Sequence, residues 1–333
     1  MHIRTLLSNL AKFSIVAGLL VWMMQSGRLN LRELRIFIDK PEITLLSLAL
    51  WLVGPTLLGS LRWKMLLNGA GFNTSWPRAL VLQVIGFFFS SAMPGSVGGD
   101  VVKAVYIVKD HPDQSKTNAM MTVFLDRIIG MCGLFLMGYC VLVLTGIKLL
   151  SVPAIKTQFM LMSLVTAAIL LFLVTMMYPH RSGRDPFLRI LEINFPGAGA
   201  LRKIYLAFRS FHDKKTSIVL CCLISFFIQL LGLGLFTYIS KTMIGFSDLS
   251  ALAVFYPVGI LTTALPLAPG GIGVGHVAFD RLFGSIGIHG GANVFNVYCL
   301  GQLAFNLMGF IPYLFVKKNI QVSNSPIPEF SQT

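Results

Sequence analysis

The sequence predicts an all-α polytopic membrane protein, and three observations indicate this class. Of the 333 residues, 55% are hydrophobic and only 12% are charged, whereas a soluble domain carries about 25% charged residues. Six apolar segments are each about as long as the ~20 residues that a helix needs to cross a bilayer. The Lys and Arg residues, which give a net charge of +14, lie between these segments and not across a polar surface, so nucleic acid is not an expected partner.

The six apolar segments are expected to be full membrane spans. They lie at residues 6–25, 43–61, 118–145, 157–178, 217–240 and 292–316. The first has a basic start, as a signal peptide does, but no small-residue cleavage site follows Met24. We therefore expect this segment to remain as the first helix.

The placement of basic residues gives the spans a direction. Three connections are rich in Lys and Arg, at residues 62–78, 109–116 and 179–215, and Lys317 and Lys318 follow the last span. Because basic connections stay in the cytoplasm, both termini are expected on the cytoplasmic side. The loop 26–42 is also basic but falls outside in this topology, so it conflicts with the assignment.

Two further apolar regions, residues 79–109 and 250–287, do not have the pattern of ordinary spans. Each consists of two apolar runs that flank a break rich in Pro and Gly. Neither run is long enough to cross about 30 Å at 1.5 Å per residue. We therefore expect two broken or re-entrant pairs of short helices, each entering and leaving on one side. Irregular backbone at this depth is tolerated only where it is buried in protein or lines a wet cavity.

The two breaks form an internal repeat. Residues 90–99 align without gaps on residues 262–271, sharing two hydroxyls, Ala, a large apolar residue, Pro, three residues and Gly-Gly. Full spans flank each break, so the halves, about 43–145 and 217–316, are expected to form an inverted repeat linked by 179–215. In many transporters such repeats place broken helices around the substrate near the midplane. Chance similarity of two loops rich in Pro and Gly is the alternative, since the flanking helices do not align visibly.

The linking segment 179–215 carries eight Lys and Arg residues against three acids. Its apolar residues fall at helical spacing on one face, and they are Leu201, Ile204, Tyr205, Phe208 and Phe211. A basic amphipathic helix of this kind is typical of segments that lie on an anionic cytoplasmic leaflet. A connector that packs on the helix bundle is the alternative.

Both breaks are candidate sites for a lipid headgroup, because Pro and paired Gly make an open loop whose amides can face a ligand. In the first break, helix N-terminal amides and Lys103 are suited to hold a phosphate. Asp100 either caps this helix or binds a cationic headgroup or a coupling proton. His276, after the second break, either titrates near neutral pH or hydrogen-bonds a neighbour. The candidates are Ser91, Pro94, Gly95, Ser96, Gly98, Gly99, Asp100 and Lys103 in the first break, and Pro266, Pro269, Gly270, Gly271, Gly273 and His276 in the second.

Charged residues within or at the ends of apolar segments form a second set of candidates: Arg62, Asp126, Arg127, Asp280 and Arg281. Charges at membrane depth are costly, and they tend to be paired or functional. Asp126 and Arg127 point about 100° apart on a helix, so Arg127 is expected to meet Asp100 or a phosphate, or to serve as a structural clamp. Arg62 either snorkels to the interface or contacts a headgroup. Asp280 is a candidate proton site in the outer half.

The stretch from Ser91 to Lys103 resembles the flippase-like transmembrane domain of lysylphosphatidylglycerol synthase and its stand-alone relatives. The resemblance covers about residues 10–318 and implies one transmembrane domain, 1–318, followed by a short polar tail, 319–333. It implies movement of lipids between leaflets, without the soluble aminoacyl-transferase domain of the synthase. At Gly275 and His276 the chain departs from many relatives, which carry a basic–acidic pair there. Three further stretches agree in the order of the family: Arg62-Trp63, Asp126-Arg127-Ile128-Ile129-Gly130 and Pro269-Gly270-Gly271-Ile272-Gly273-Val274.

These expectations favour a lipid transporter over an enzyme. It would move a phospholipid, glycolipid or polyprenyl-linked lipid between leaflets of a bacterial cytoplasmic membrane, with anionic or polyprenyl-phosphate lipids as its partners. The alternatives are an intramembrane lipid-headgroup transferase that uses Asp100 as acid or base, a membrane subunit that docks a soluble lipid-modifying enzyme, and a carrier of small solutes or ions. The sequence has no nucleotide motif and no metal-ligand spacing, and its five cysteines lie in apolar segments, so no cofactor or disulfide framework is expected.

Overall fold

A computed structural model describes residues 31–92, 98–145, 153–177, 205–206, 211–263 and 273–316 of the chain. Five helices in this part are long and apolar enough to cross a membrane, and they are Pro41–Gly69, Lys116–Thr145, Ile155–Thr175, Lys215–Ile244 and Gly291–Phe315. They confirm five of the six predicted spans, and the first, at 6–25, lies outside the described residues. All regular structure in the described ranges is helical, which confirms an all-α polytopic membrane protein.

We number the helices in chain order, after a 3₁₀ turn at Leu31–Leu34. They are α1 (Arg35–Asp39), α2 (Pro41–Gly69), α3 (Trp76–Ala92), α4 (Gly98–Asp110), α5 (Lys116–Thr145), α6 (Pro153–Met177), α7 (Lys215–Ile244), α8 (Leu249–Thr263), α9 (Val274–Gly284), α10 (Gly291–Leu307) and α11 (Phe310–Val316).

Helix α2 extends eight residues beyond the predicted end of its span at residue 61. It begins at Pro41, whose fixed φ suits a first helical position. Its middle, Leu52–Leu58, is a π turn built around Pro55, which has no N–H to donate to the helix ladder. The hydroxyl of Thr56 donates to the carbonyl of Trp51 at 2.7 Å, so the side chain also supports the backbone of this turn.

The two predicted breaks are each flanked by a pair of short helices that pack on one another. Helices α3 and α4 have 17 and 13 residues, and α8 and α9 have 15 and 11. At 1.5 Å per residue the longest of the four reaches about 26 Å, short of a bilayer core of about 30 Å. The structure thus confirms the pairs of short helices, whereas the break residues 93–97 and 264–272 lie outside the described part of the chain.

Glycine sets the spacing between α3 and α4. A Cβ atom on Gly99 would lie 1.9 Å from the carbonyl oxygen of Gly86, far inside contact distance. The two backbones therefore touch at a point where no side chain fits. This crossing fixes the start of α4, and with it the position of the charged residues in its first two turns.

Helices occur in the same order in both parts of the chain. The first part, α2 to α5, consists of a long span, two short helices and a second long span. The second part has the same order, with α7 as the first span, α8 and α9 as the short helices, and α10 with α11 as the second span. Packing follows the same pairing: α5 contacts α7 and α8, while α10 contacts α2 and α3. Helices α2 and α7 run antiparallel, because Arg62 meets Ser225 early in α7, whereas Gly54 faces Ile228 and Leu231 further along it.

Two glycines mark equivalent contacts between these parts. A Cβ atom on Gly138 of α5 would lie 2.7 Å from the carbonyl oxygen of Ala253 in α8. A Cβ atom on Gly309, between α10 and α11, would lie 2.1 Å from the carbonyl oxygen of Val84 in α3. In each contact, the last span of one part touches the backbone of the first short helix of the other.

Most of the predicted segment 179–215, and all of the tail 319–333, lie outside the described residues. Phe211 is described, and it is buried in the main apolar core. A Cβ atom on Gly69 would lie 2.7 Å from its ring, so Phe211 packs closely on the end of α2. At this residue the segment packs on the bundle, as the connector alternative expects. Leu201, Ile204 and Phe208 are not described.

Candidate functional site

Five charged residues converge between α2, α4 and α5: Arg62, Asp100, Lys103, Asp126 and Arg127. Arg62, Lys103 and Asp126 are 9%, 4% and 6% exposed, so charge lies deep among apolar side chains. Three cations face two anions, which leaves the cluster with a net charge of +1. We call these five residues the charge cluster. All five are candidates predicted from the sequence, and the structure brings them together.

The Arg62 guanidinium forms the innermost pair of the charge cluster. Its Nε and Nη2 atoms donate to the two carboxylate oxygens of Asp126 at 2.7 and 3.0 Å, and Nη1 donates to Ser225 Oγ at 2.7 Å. A two-point pair of this kind is strong and directional, and the third bond reduces the cost of burying the cation. Gly130 of α5 lies beside the guanidinium, and a Cβ atom there would be in ordinary contact with Nη1 at 3.5 Å. The expectation that Arg62 snorkels to the interface is therefore wrong.

Asp100 accepts hydrogen bonds from two cations. Lys103 Nζ lies 2.9 Å from its Oδ1 atom, and Arg127 Nε donates to its Oδ2 atom. Arg127 thus meets Asp100 of α4, one of the predicted alternatives. Helix α4 begins at Gly98, so Asp100 lies inside the first turn and does not hold the N-cap position.

Lys103 is held by neutral groups as well as by Asp100. Its Nζ atom donates to Gln83 Oε1 at 3.1 Å and lies 4.8 Å from the centre of the Trp63 ring, a distance at which a cation is attracted to the ring face. Gln83 Nε2 in turn donates to the carbonyl of Pro55 at 3.4 Å, which joins α3 to the π turn of α2. Gln83 and Ser225 were not among the residues predicted from the sequence, because a neutral polar residue inside an apolar run does not stand out among charges.

Access to the charge cluster is through Arg127. Its side chain is 29% exposed, against 14% for Asp100 and 5% for Lys103. Asp100, its partner, lies early in α4, the helix that follows the first break. Arg127 is therefore the most exposed cation of the pairs that Asp100 forms.

The other residues proposed in the first break are only partly described. Gly98 and Gly99 are buried at the start of α4. The hydroxyl of Ser91 donates to the Phe87 carbonyl at 3.3 Å and accepts from Asn306 Nδ2 of α10 at 2.9 Å. This second bond links the end of α3 to the other part of the molecule. Pro94, Gly95 and Ser96 lie outside the described residues.

Beside the second break, where the first break has the charge cluster, the structure has a chain of hydrogen bonds that ends at Glu33. The N–H of Gly273, at a φ of 93° that favours glycine, donates to His276 Nδ1 at 3.2 Å. His276 Nε2 and Asn296 Oδ1 are 3.1 Å apart, and Asn296 Nδ2 donates to Glu33 Oε2 at 2.8 Å. A neutral ring with its proton on Nε2 satisfies both histidine contacts. His276 thus hydrogen-bonds its neighbours, one of the two predicted alternatives.

Glu33 connects the turn before α1 to this second break. The residue is half-buried outside the spans, and burial raises the pKa of its carboxyl while the bond from Asn296 acts in the opposite direction. Asp280 and Arg281 are exposed on α9, and the structure brings them into neither set of contacts. Pro266, Pro269, Gly270 and Gly271 lie outside the described residues.

The two parts of the molecule differ in chemistry at matching positions. Tyr298 stands 172 residues after Asp126, the offset that relates the two breaks. Its hydroxyl lies 2.9 Å from that of Tyr256, and its ring centre lies 5.7 Å from that of Phe236. The first part thus holds ion pairs where the second holds aromatic contacts.

Comparison with known proteins agrees with this architecture. Residues 9–296 match the family described as the lysylphosphatidylglycerol synthase TM region. The chain is 25% identical over 260 residues to the UPF0104 membrane protein PH1989 of Pyrococcus horikoshii, an alignment that covers 70% of this chain and 74% of the relative. No solved structure matches. The family match spans the charge cluster and both broken helix pairs, and the chain therefore belongs to the lysylphosphatidylglycerol synthase transmembrane region family.

Proposed function

We propose that this membrane protein transports an anionic lipid between the two leaflets of a bacterial cytoplasmic membrane. The charge cluster is the observation that carries the proposal. It has a net charge of +1, lies beside a broken helix pair and is accessible at Arg127. Membership of a family linked to lipid handling supports the same function.

A phosphate group can take the place that Asp100 occupies against Arg127. Carboxylate and phosphate oxygens both accept hydrogen bonds from a guanidinium, so the lipid would exchange one acceptor for another. Lys103, which bonds the same carboxylate, would share the incoming charge. The Arg62–Asp126 pair lies deeper and has its own hydrogen-bond partners, so it would hold α2 and α5 together during this exchange.

The arrangement of the spans supports an inverted repeat as the basis of transport. Three full spans, α2, α5 and α6, separate the start of the first part from the start of the second. The number of crossings between these two points is therefore odd, because a pair of short helices that enters and leaves on one side adds no crossing. The second part then begins on the opposite side of the membrane, in agreement with the antiparallel crossing of α2 and α7. Such repeats place a substrate near the midplane between broken helices.

Two of the alternatives receive less support. Asp100, the candidate acid or base of a transferase, has its two oxygens bonded to Lys103 and Arg127, which favours an anchoring role. Docking of a soluble lipid-modifying enzyme depends on segment 179–215 and stays a prediction. The cytoplasmic placement of both termini also stays a proposal, based on the basic connections.

Reconstitution into vesicles tests the proposed function. Purified protein would be placed in liposomes with fluorescent phosphatidylglycerol, and an impermeant reductant would remove the label from the outer leaflet only. We expect inner-leaflet label to become accessible faster than in empty liposomes, and Arg127→Gln to slow it. Arg78→Gln is the matched control, because Arg78 forms a similar ion pair with Asp110 at the surface. Equal rates in protein-containing and empty liposomes would overturn the proposal.

A further inference from the structure

A cavity of about 160 Å³ lies between α2, α7, α8 and α10. Its polar lining comes from Trp51, Gln229, Tyr256, Thr263, Tyr298 and Gln302. Gln229 stands near the midpoint of α7, and Gln302 stands near the midpoint of the span Gly291–Phe315. The cavity is therefore close to the membrane midplane, and Thr263 is the last described residue before the second break.

Several polar groups at this cavity have no protein partner. Among the described residues, neither the Gln229 nor the Gln302 carboxamide has a hydrogen bond to the protein. The indole N–H of Trp51 is buried and also without a partner. Polar groups at membrane depth are costly unless they are satisfied. The two carboxamides can therefore bind a guest molecule that both donates and accepts hydrogen bonds.

The local sequence keeps this space open. A Cβ atom on Gly232 would lie 2.3 Å from the Tyr256 hydroxyl, so only glycine leaves room for the phenol. Pro55, which also lines the cavity, belongs to the π turn that widens α2. Single π turns occur frequently at functional sites.

The cavity is neutral, yet it adjoins the charge cluster. All eleven of its lining residues are uncharged. Ser225, which binds Arg62, lies one helical turn before Gln229 on α7. Gln83 bonds both Lys103 and the carbonyl of Pro55, so polar groups lead from the charge cluster to the cavity wall. A second charge on a ligand would find no counter-ion there, whereas hydroxyl groups would find both donors and acceptors.

We propose that this cavity binds the uncharged, hydroxylated part of the headgroup, such as a glycerol or a sugar, of the lipid whose phosphate meets the charge cluster. The inference rests on the proposed function and narrows its substrate class. Anionic lipids with a polyol or sugar head are transported in preference to lipids with an amine-bearing head. Amides and phenols provide the hydrogen bonds, and the aromatic rings of Trp51 and Tyr298 provide apolar contact for the carbon skeleton.

The double variant Gln229→Leu/Gln302→Leu tests this assignment. Its transport would be compared with that of the wild type for labelled phosphatidylglycerol, phosphatidylethanolamine and phosphatidic acid, the last of which has a phosphate and no further head. Loss of two hydrogen bonds should slow transport of phosphatidylglycerol about tenfold and leave that of phosphatidic acid within twofold. Gln158→Leu, the same change on α6 away from the cavity, is the control and should leave both rates unchanged.

A second measurement separates this inference from the proposed function. Native mass spectrometry of the purified protein reports which of the three lipids it retains. Selective retention of phosphatidylglycerol, lost in the double variant, supports the cavity assignment even if no variant moves lipid in vesicles. Equal effects of the double variant on phosphatidylglycerol and phosphatidic acid would overturn it and leave the proposed function standing. Faster entry of labelled free glycerol than in empty vesicles, without lipid retention, would also overturn it.

Discussion

Arg62 and Asp126, which lie 64 residues apart, are joined by two parallel hydrogen bonds of 2.7 and 3.0 Å. This pair connects α2 to α5, and the bond from Arg62 to Ser225 extends the connection to α7. Three spans thus meet at one guanidinium group. The pair is buried, so each charge depends on the other to offset its lost hydration.

We expect Asp126→Asn to destabilise the protein by about 3–5 kcal/mol, because the guanidinium of Arg62 would remain buried without its counter-ion. Thermal unfolding in detergent would show the change as a lower Tm. The surface change Asp110→Asn, which removes the partner of Arg78, should cost only about 0.2–1 kcal/mol. Recovery of the Tm by the double variant Arg62→Met/Asp126→Leu would confirm that the unpaired charge is the cause, and equal losses in all three variants would contradict it.

Changes at Asp100 and Arg127 should affect lipid retention in opposite directions. Asp100→Asn removes an anion from the charge cluster and raises its net charge to about +2 at the point that faces the first break, so purified protein should retain more anionic lipid. Arg127→Gln lowers the charge and should retain less. Mass spectrometry of co-purified lipid makes the comparison, with Arg78→Gln as the control. The same direction of change in both variants would argue against electrostatic binding of lipid at this cluster.

Gly99→Ala should prevent normal packing of α3 on α4. The new Cβ atom would overlap the Gly86 carbonyl, at 1.9 Å, and a backbone atom cannot rotate away as a side chain can. The yield of monodisperse protein on size-exclusion chromatography should fall sharply. Gly234→Ala is the control, because no atom lies within 4 Å of the added Cβ, and it should be neutral or slightly stabilising since alanine favours helices.

Glu33 should make stability depend on pH. Burial raises the pKa of its carboxyl above the ordinary value of 4.5, so the folded state binds a proton more readily than the unfolded state. The stability that protonated Glu33 contributes is fully present below pH 4.5 and is lost as the pH rises through the raised pKa. Tm values across this range should fall more in the wild type than in Glu33→Gln. Glu42→Gln, at an exposed position, should retain the wild-type profile, and identical profiles for all three would contradict the assignment.

Cysteine labelling can show on which side of the membrane two connections lie. One follows the broken pair of the first part, and the other precedes the broken pair of the second part. On a background in which the five native cysteines are replaced, Ser115→Cys lies between α4 and α5, and Ser247→Cys lies between α7 and α8. Both positions are exposed. Under the inverted repeat, an impermeant thiol reagent added to whole cells labels Ser247→Cys, and Ser115→Cys reacts only in opened membranes. Labelling of both from the same side would contradict the repeat.

Hydropathy predicted the spans and the broken pairs well because a bilayer dictates helix length, and that constraint acts on local sequence. It misjudged the end of α2 for an equally physical reason. Arg62 and Lys64 have the pattern of residues at a membrane interface, and nothing nearby in the sequence indicates that Asp126 neutralises Arg62 inside the bundle. Pairing over 64 residues is a property of packing and not of periodicity.

Neutral polar residues were the larger omission. Gln83, Ser225, Gln229 and Gln302 are neutral polar residues within apolar runs. They do not interrupt the hydropathy pattern, and a search for charged residues does not find them. The same cost of burying polar groups applies to them as to ions, at smaller magnitude. Their roles became visible only when the fold placed Gln83 beside Lys103 and the other two carboxamides around one cavity.

The paired contacts of Gly138 and Gly309 restrict how the molecule can move. Each long span at the end of one part is pressed against the backbone of a short helix in the other, so the two parts are interlocked and not merely adjacent. Rocking the parts as rigid bodies would have to separate both contacts at once. Displacement of α4 and α9, which take part in neither contact, would leave the interlock intact. For the proposed transport function, this interlock favours local displacements within a fixed frame over large rotations of two halves.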